Sequence, residues 1–246
     1  MPEPFKNELS VARIKVIAKH LSIHHEKFDK KAFLNIACQN IDDLSLMERN
    51  RQIVQALKEC LPSNFNRAQK IVVQSLAPVD KQQDKYGLHS WLVVPLAEYI
   101  GQTGIAHLPK AMAALKAITP FFSSEWGIRH LLIHKQSQAL EQLHAWCDDS
   151  NSKVRRLVSE GSRPRLPWGM RLNAFLEDPA LTFALLDKLK DDESDSVRLS
   201  VSNHLNDISK DHPDWLQKKL AQWIEPENTG KLIRKNRQKL IKHACR

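Results

Sequence analysis

The chain has 246 residues, of which 42% are hydrophobic, and this is enough to build a continuous core. It contains only 7 glycines, and neither a GxGxxG string nor a GxxxxGK string followed by Ser or Thr occurs, which excludes the common glycine-rich phosphate-binding loops. Thirty-seven Lys and Arg against 28 Asp and Glu give a formal net charge of +9. Such an excess fits a polyanionic partner, usually nucleic acid, but a surface charged only for solubility explains it equally well.

Amphipathic segments with a period of 3.6 residues follow one another along the whole chain, and strand-like alternation is missing. The sequence therefore predicts an all-α protein, organised as a single domain over residues 1–246 with an N-terminal helical cap of about residues 1–62. Ser123 is the predicted N-cap of the seventh helix, after the break at Thr119-Pro120. The predicted helices cover residues 6–21, 30–41, 44–61, 64–76, 89–101, 106–118, 123–134, 136–147, 152–160, 169–177, 179–190, 194–209, 212–224 and 229–245.

Short sequences recur at a nearly constant interval in the second half of the chain. Val154-Arg155 is repeated 43 residues later at Val197-Arg198, and a fainter copy follows after 44 more at Ile241-Lys242. Periods of about 40 to 47 residues are typical of HEAT and armadillo proteins. The spacing therefore predicts a HEAT-like solenoid of paired antiparallel helices with a concave basic groove.

Polar side chains fall on one face of this repeat. Ser196, Ser200, Asn203 and Asp207 form a stripe on the twelfth predicted helix, opposite an apolar stripe that begins at Val197. Glu160 occupies the same slot in the preceding repeat as Asn203, with Asp207 one turn further along. Because neighbouring helices pack about 8–10 Å apart, we expect Glu160 and Asp207 to reach one small reacting group.

Residues 161–168, with the sequence GSRPRLPW, interrupt a chain that otherwise has short turns. Arg163 and Arg165 are suited to binding an anion, and Trp168 offers a flat face for stacking or for contact with a cation. The simpler alternative is a plain connector between helices, with Trp168 buried in the core.

Cysteine and histidine spacing predicts no metal site. The four cysteines are far apart, and neither the pair His20 and His24 nor the pair His130 and His134 has a third ligand at a recognisable spacing. The N-terminus has no apolar signal segment, and no apolar run is long enough for a membrane span. We therefore predict a cytoplasmic protein without a membrane partner.

Two long strings resemble a known family. VRRLVSEGSRPRLPW at residues 154–168 and SVSNHLNDISKDHP at residues 200–213 are similar to the AlkC family of bacterial alkylpurine DNA glycosylases, within the AlkC/AlkD-type HEAT-like repeat proteins of DNA alkylation repair. FSSEWGIR at residues 122–129 and the terminal residues 243–246 also resemble that family. The resemblance implies a monomer that acts on double-stranded DNA containing alkylated bases. It would hydrolyse the N-glycosidic bond of cationic bases such as 3-methyladenine, with 3-methylcytosine as a further candidate, and would need neither cofactor nor metal.

The resemblance also implies roles for four residues around the damaged base. Asp207 would hold and polarise the attacking water, while Glu160 and Glu125 would supply negative potential to the cationic base and sugar. Trp168 would contact the sugar or the base through its π face. The base would be attacked while still largely in the duplex.

Each carboxylate also has a simpler interpretation. Glu125 stands at a predicted helix start, where an acid favours the helix dipole. Glu160 could form a solvent-facing ion pair with Arg163, and Asp207 could bond the backbone near Pro213.

Basic residues around the same repeats are candidates for phosphate contacts. Arg155 and Arg198 occupy equivalent positions and are alternatively predicted to tie one repeat to the next. The chain stops inside the third repeat, so we expect no C-terminal immunoglobulin-like domain of the kind some relatives use as a DNA clamp. The alternative function is a noncatalytic HEAT scaffold that binds nucleic acid or protein. The predicted DNA-binding residues are Arg129, Arg156, Arg163, Arg165, Arg171, Asn203 and Lys210.

Overall fold

The computed structural model describes residues 5–224 and 231–244. Within these ranges the chain forms fourteen α-helices and five short 3-10 helices, and its only β-type pairing is one isolated bridge between Leu76 and Leu88. Each of the fourteen predicted segments overlaps one of these α-helices. The predicted all-α repeat architecture is confirmed. None of the described helices combines the length and apolar character that crossing a bilayer requires.

The contacts within the chain divide it into two compact units, Met1–Lys135 and Gln136–Arg246. The prediction of a single domain with a helical cap at residues 1–62 stays a prediction, as does that of a concave basic groove. The last predicted helix is described from residue 231 to residue 244, so its residues 229, 230 and 245 lie outside the described ranges.

The first unit consists of two layers of helices. Helices α2, α3, α5 and α7 pack side by side in that order, and α1, α4 and α6 form the second layer against them. Their bounds are α1 Val11–His24, α2 Lys30–Ala37, α3 Leu46–Cys60, α4 Phe65–Gln74, α5 Val94–Thr103, α6 Leu108–Ile118 and α7 Gly127–His134.

Side-chain caps determine where several of these helices begin. The carboxylate of Asp29 accepts the backbone N–H of Ala32 at 2.9 Å at the start of α2. Ser45 and Glu48 form a reciprocal capping box at the start of α3. Such caps satisfy backbone donors that have no partner inside the helix.

Helix α7 crosses α5 at two glycines. A Cβ atom added to Gly127 would lie 2.2 Å from the backbone oxygen of Ala97, and one added to Gly101 would lie 2.0 Å from the backbone oxygen of Gly127. Only glycine permits such a close approach of two backbones. The backbones of α5 and α7 are therefore in direct contact at the first residue of α7, two residues after Glu125.

The predicted start of this helix was wrong by four residues. Residues 119–121 form a 3-10 turn, and α7 begins at Gly127 with Trp126 as its N-cap. The hydroxyl of Ser123 does not cap the helix, because it donates to the carboxylate of Glu125 at 2.8 Å.

The second unit repeats one helix pair three times. Helices α9, α12 and α14 form one row, and α8, α11 and α13 pack behind them. Their bounds are α8 Gln136–Trp146, α9 Ser152–Gly161, α10 Asn173–Glu177, α11 Ala180–Leu189, α12 Asp195–Ser209, α13 Pro213–Ile224 and α14 Lys231–Ala244.

The repeat register inferred from the sequence holds in the structure. Val154 and Val197, at equivalent positions, are both fully buried. Arg155 donates to the backbone carbonyl of Asp149 at 2.8 Å, and Arg198 makes the equivalent contact with the carbonyl of Asp192. The same residues therefore perform the same structural task in successive repeats.

Side chains of α12 bond it to both neighbours in its row. Ser202 donates to the backbone carbonyl of Leu240 at 2.8 Å, and Asn206 donates to that of Ala244 at 3.0 Å, so α12 is fixed to α14. On the other side, Nδ1 of His204 lies 3.1 Å from the carbonyl oxygen of Ser159 on α9. Because a carbonyl only accepts, Nδ1 carries the proton. The face of α12 that carries Asp207 is thus held rigidly beside α9.

Candidate functional site

One guanidinium group joins two carboxylates from successive repeats. Nε of Arg163 donates to Oδ2 of Asp207 at 3.0 Å, and its Nη2 lies 3.3 Å from Oδ1 of the same residue. Its Nη1 donates to Oε1 of Glu160 at 2.8 Å. Glu160 comes from α9, Asp207 from α12, and Arg163 from the turn that follows α9. We call Glu160, Arg163 and Asp207 the carboxylate cluster.

Two further donors orient the acids. The hydroxyl of Ser200, on α12, donates to Oε2 of Glu160 at 2.6 Å, and the backbone N–H of Arg165 lies 3.3 Å from Oδ2 of Asp207. Both oxygens of Glu160 therefore have a short hydrogen bond. Carboxylates held in this way have little rotational freedom, which is the property that preorganises a charged site.

The carboxylate cluster is shielded from bulk water. Asp207 is 2% exposed, Glu160 5% and Arg163 9%. Burial alone disfavours the charged guanidinium of Arg163, but its hydrogen bonds and charge interactions with Asp207 and Glu160 outweigh burial and raise its pKa above the ordinary value. Arg163 therefore stays protonated and supplies a buried positive charge between the two carboxyl groups.

The turn after α9 presents Trp168 to solvent. The backbone N–H of Leu172 bonds the carbonyl of Pro164 at 3.2 Å, and that of Gly169 bonds the carbonyl of Leu166 at 3.1 Å. Leu166 and Leu172 are buried, so they anchor the turn at both ends. Trp168 lies in this turn and is 62% exposed, so the alternative of a buried core tryptophan is wrong.

Trp168 also has an unusual backbone conformation. Its φ of 60° lies in the left-handed region, which bulky side chains rarely adopt. Strain of this kind costs of the order of 1–3 kcal/mol and is concentrated at ligand-binding and catalytic sites. The conformation occurs in a turn closed by two backbone hydrogen bonds, and the aromatic side chain of Trp168 is exposed.

The folded turn also explains the shorter tenth helix. The sequence predicted a helix over residues 169–177, whereas α10 spans only Asn173–Glu177. The four preceding residues belong to the turn that carries Trp168.

Glu125 lies in the first unit, just before α7. It is buried, and its carboxylate accepts the hydroxyl of Ser123 at 2.8 Å. The hydroxyl of the next serine, Ser124, donates to the backbone carbonyl of Leu115 at 2.9 Å, so this segment is tied to α6.

Two predicted phosphate-binding arginines require correction. Arg129 is 0% exposed and is among the largest fully buried side chains of the described chain, so it presents no surface to a phosphate. Arg163 directs its guanidinium into the buried carboxylate cluster. In both cases tertiary packing covers a charge that the sequence pattern assigned to the surface.

The other predicted DNA-binding residues retain accessible surface, and their contact with DNA stays a prediction. Arg171 is exposed, and Lys210 is exposed with its Nζ 3.8 Å from Oδ1 of Asp207. Arg156 is partly exposed and lies 3.7 Å from Oε2 of Glu160. Arg165 is half-buried. Its Nη2 contacts both carboxylate oxygens of Asp211 at 2.7 Å.

Asn203 is half-buried, and its amide oxygen lies 2.9 Å from Nε2 of His243 on α14. It stands in the same repeat slot as Glu160, but its side chain is directed to the next helix of the row.

The simpler interpretations of the carboxylates have different outcomes. The predicted pair of Glu160 with Arg163 exists, but it is buried and extends to Asp207. Asp207 instead contacts the side chain of Arg163 and the backbone N–H of Arg165 in the turn after α9, and Nζ of Lys210 on its own helix end.

Sequence reasoning missed Ser200 as a site residue. The available signal was its place in the polar stripe of α12, three residues before Asn203.

Comparison with known proteins agrees with this geometry. Residues 119–240 match the family described as DNA alkylation repair enzyme. Residues 119–240 of the chain belong to this family. The match contains the whole carboxylate cluster and the Trp168 turn.

Two relatives extend the match beyond this segment. YhaZ of Bacillus subtilis (strain 168) is 39% identical over 211 residues, which are 85% of this chain and 57% of that protein. The alkylpurine DNA glycosylase AlkC of Pseudomonas fluorescens, solved bound to DNA containing an abasic site analog, matches with a TM-score of 0.84 and 34% identity. That alignment covers 99% of this chain and 64% of the AlkC chain. The chain thus spans about three fifths of the length of these family members.

Proposed function

We propose that this protein is a DNA glycosylase that hydrolyses the N-glycosidic bond of cationic N-alkylated bases in double-stranded DNA, with 3-methyladenine and 3-methylcytosine as substrates. The observation that carries the proposal is the carboxylate cluster, in which one guanidinium holds two acids from successive repeats. The likeness to AlkC over nearly the full chain supports it.

The chemistry requires little more than charge and a placed water. An alkylated base is already cationic, so the electrons of the bond between C1′ and the base nitrogen leave with the base and neutralise it. The sugar then carries the positive charge as an oxocarbenium ion. Water attacks C1′, and its proton passes to a carboxylate and then to solvent, which leaves an abasic site and the free base.

Asp207 is the acid best suited to the water. Its orientation is fixed by Arg163 and by the backbone N–H of Arg165, and its negative charge favours the developing sugar cation. Glu160 adds negative potential from the neighbouring repeat. The resemblance to the glycosylase family supports the same role, added negative potential, for Glu125.

The function is tested by incubating the protein with methylated duplex DNA and measuring free 3-methyladenine and 3-methylcytosine. We expect release well above the spontaneous rate, and none from unmodified DNA. No release despite retained DNA binding would favour the alternative, a noncatalytic HEAT scaffold. Loss of binding with rising salt distinguishes a DNA-binding scaffold from a protein-binding one, since phosphate contacts release counterions.

Replacement of Trp168 by glycine should lower activity without lowering stability. The change removes the π face, and a cation–π contact of about 0.5–2 kcal/mol corresponds to a loss of about 2- to 30-fold in base release. Glycine tolerates positive φ, so the thermal midpoint should stay equal or rise. Single-turnover release and thermal melting measure the two effects.

Trp168→Ala is the matched control, because it removes the same ring but keeps a Cβ atom in the left-handed conformation. We expect equal activity in the two variants and a lower melting temperature for alanine. Wild-type release rates in both variants would exclude contact of Trp168 with the damaged nucleotide.

A further inference from the structure

We propose that Arg163 is a positioning residue of the glycosylase, which holds Asp207 and Glu160 in one fixed orientation and supplies their buried counter-charge, and that it does not bind DNA phosphate. This inference rests on the proposed function. It assigns to the turn after α9 a task different from the phosphate contact predicted for its arginine.

The geometry of the guanidinium carries the first step. Nε and Nη2 approach the two oxygens of Asp207 at 3.0 and 3.3 Å, and Nη1 approaches Glu160 at 2.8 Å. A guanidinium is planar, and its donors lie in a rigid fork. Three nitrogens of one flat group therefore determine how both acids are oriented.

Burial makes this cation necessary. Two acids that are 2% and 5% exposed cannot rely on water to stabilise their charges. Without a cation, their negative charges would be uncompensated and would repel each other. Arg163 supplies the compensating charge beside both acids.

The other charged groups that face the cluster in the second unit are weaker substitutes. Lys210 lies 3.8 Å from Asp207 and Arg156 lies 3.7 Å from Glu160, and both side chains are substantially exposed. Arg165 contributes its backbone N–H to Asp207, but its guanidinium is bound to Asp211. Arg163 is the buried cation that contacts both acids.

The test compares Arg163→Gln and Arg163→Lys with the wild-type protein in single-turnover release of 3-methyladenine at saturating enzyme, from pH 5 to pH 9. Loss of the buried cation leaves both acids without their counter-charge, which disfavours their charged forms. We expect the acid limb of the profile of the Gln variant to move to higher pH. At pH 7.5 its rate should fall by about 10²-fold, as expected for misplaced reacting groups.

The Lys variant keeps the charge but loses the fork, so its acid limb should move less than that of the Gln variant while its rate still falls. Arg155→Lys is the matched control. Arg155 is a similarly buried arginine that forms a bidentate contact with Asp192, away from the carboxylate cluster. Its replacement should leave the acid limb of the pH profile in place.

Salt dependence separates positioning from phosphate binding. Binding to duplex DNA with an abasic-site analogue should show the same salt slope in the wild type and in Arg163→Gln, whereas loss of a phosphate contact would reduce the slope by about one.

A reduced salt slope, or an unmoved acid limb in a folded Arg163→Gln or Arg163→Lys variant, would overturn the inference while leaving the glycosylase activity standing. Absence of base release by the wild-type protein would instead overturn the proposed function, and the inference with it.

Discussion

Replacement of Asp207 by asparagine should reduce release of alkylated bases by about 10²- to 10³-fold, the usual effect of removing a preorganised charge from an active site. The amide cannot take the proton of the attacking water, and it offers no negative charge to the oxocarbenium ion. Single-turnover release from methylated duplex DNA measures the loss. Binding to a duplex with an abasic-site analogue should persist, because the exposed basic residues are unchanged.

The structure also predicts a stability effect for Asp207→Asn. The amide oxygen can still accept from Arg163, but the amide NH₂ group meets donors where a carboxylate oxygen had stood, and Arg163 keeps only one ionised partner in the cluster. An unsatisfied buried polar group costs about 1–3 kcal/mol. Activity must therefore be compared below the melting temperature of the variant.

Asp211→Asn is the matched control for this experiment. Asp211 also pairs with an arginine, since both of its carboxylate oxygens contact Nη2 of Arg165, but this pair lies on accessible surface. Exposed pairs contribute about 0–1 kcal/mol, so release and stability should both stay close to wild type. Normal turnover by Asp207→Asn would remove this residue from the mechanism.

The fold could be predicted because its signals are local and repeated. Apolar periodicity located all fourteen α-helices, and the copy of Val154 at Val197 gave the correct register of adjacent repeats. The predicted helix boundaries were wrong where tertiary contacts shape the ends of the helices. Helix α7 begins at Gly127, where its backbone lies against that of α5, a contact between residues far apart in the sequence.

The candidate site could be predicted only in part. The repeat register brought Glu160 and Asp207 to the same site, and the structure joins them through Arg163. The role of this arginine was not predictable, since spacing shows that Arg163 can reach Glu160 but not that a second repeat will cover the pair. The burial of Arg129 has the same origin, because charge is visible in a sequence and the packing around it is not.

The largest loss of stability should follow from Arg155→Ala. Arg155 links two repeats, with Nε 2.6 Å and Nη2 2.9 Å from the two carboxylate oxygens of Asp192, and it also bonds the backbone of Asp149. Removing one partner of a buried ion pair leaves the other without its counter-charge, and such changes cost about 3–5 kcal/mol. Urea denaturation monitored by circular dichroism should show a lower midpoint with an unchanged slope.

Arg198→Ala provides the comparison that identifies the cause. Arg198 occupies the equivalent repeat position and bonds the backbone carbonyl of Asp192 in the same way, but its carboxylate partner, Asp195, is largely exposed and belongs to its own helix. We expect this variant to lose about 1 kcal/mol, because one hydrogen bond and a surface pair are removed. Equal losses in the two variants would show that the link from Arg155 to Asp192 adds no stability beyond the shared backbone contact.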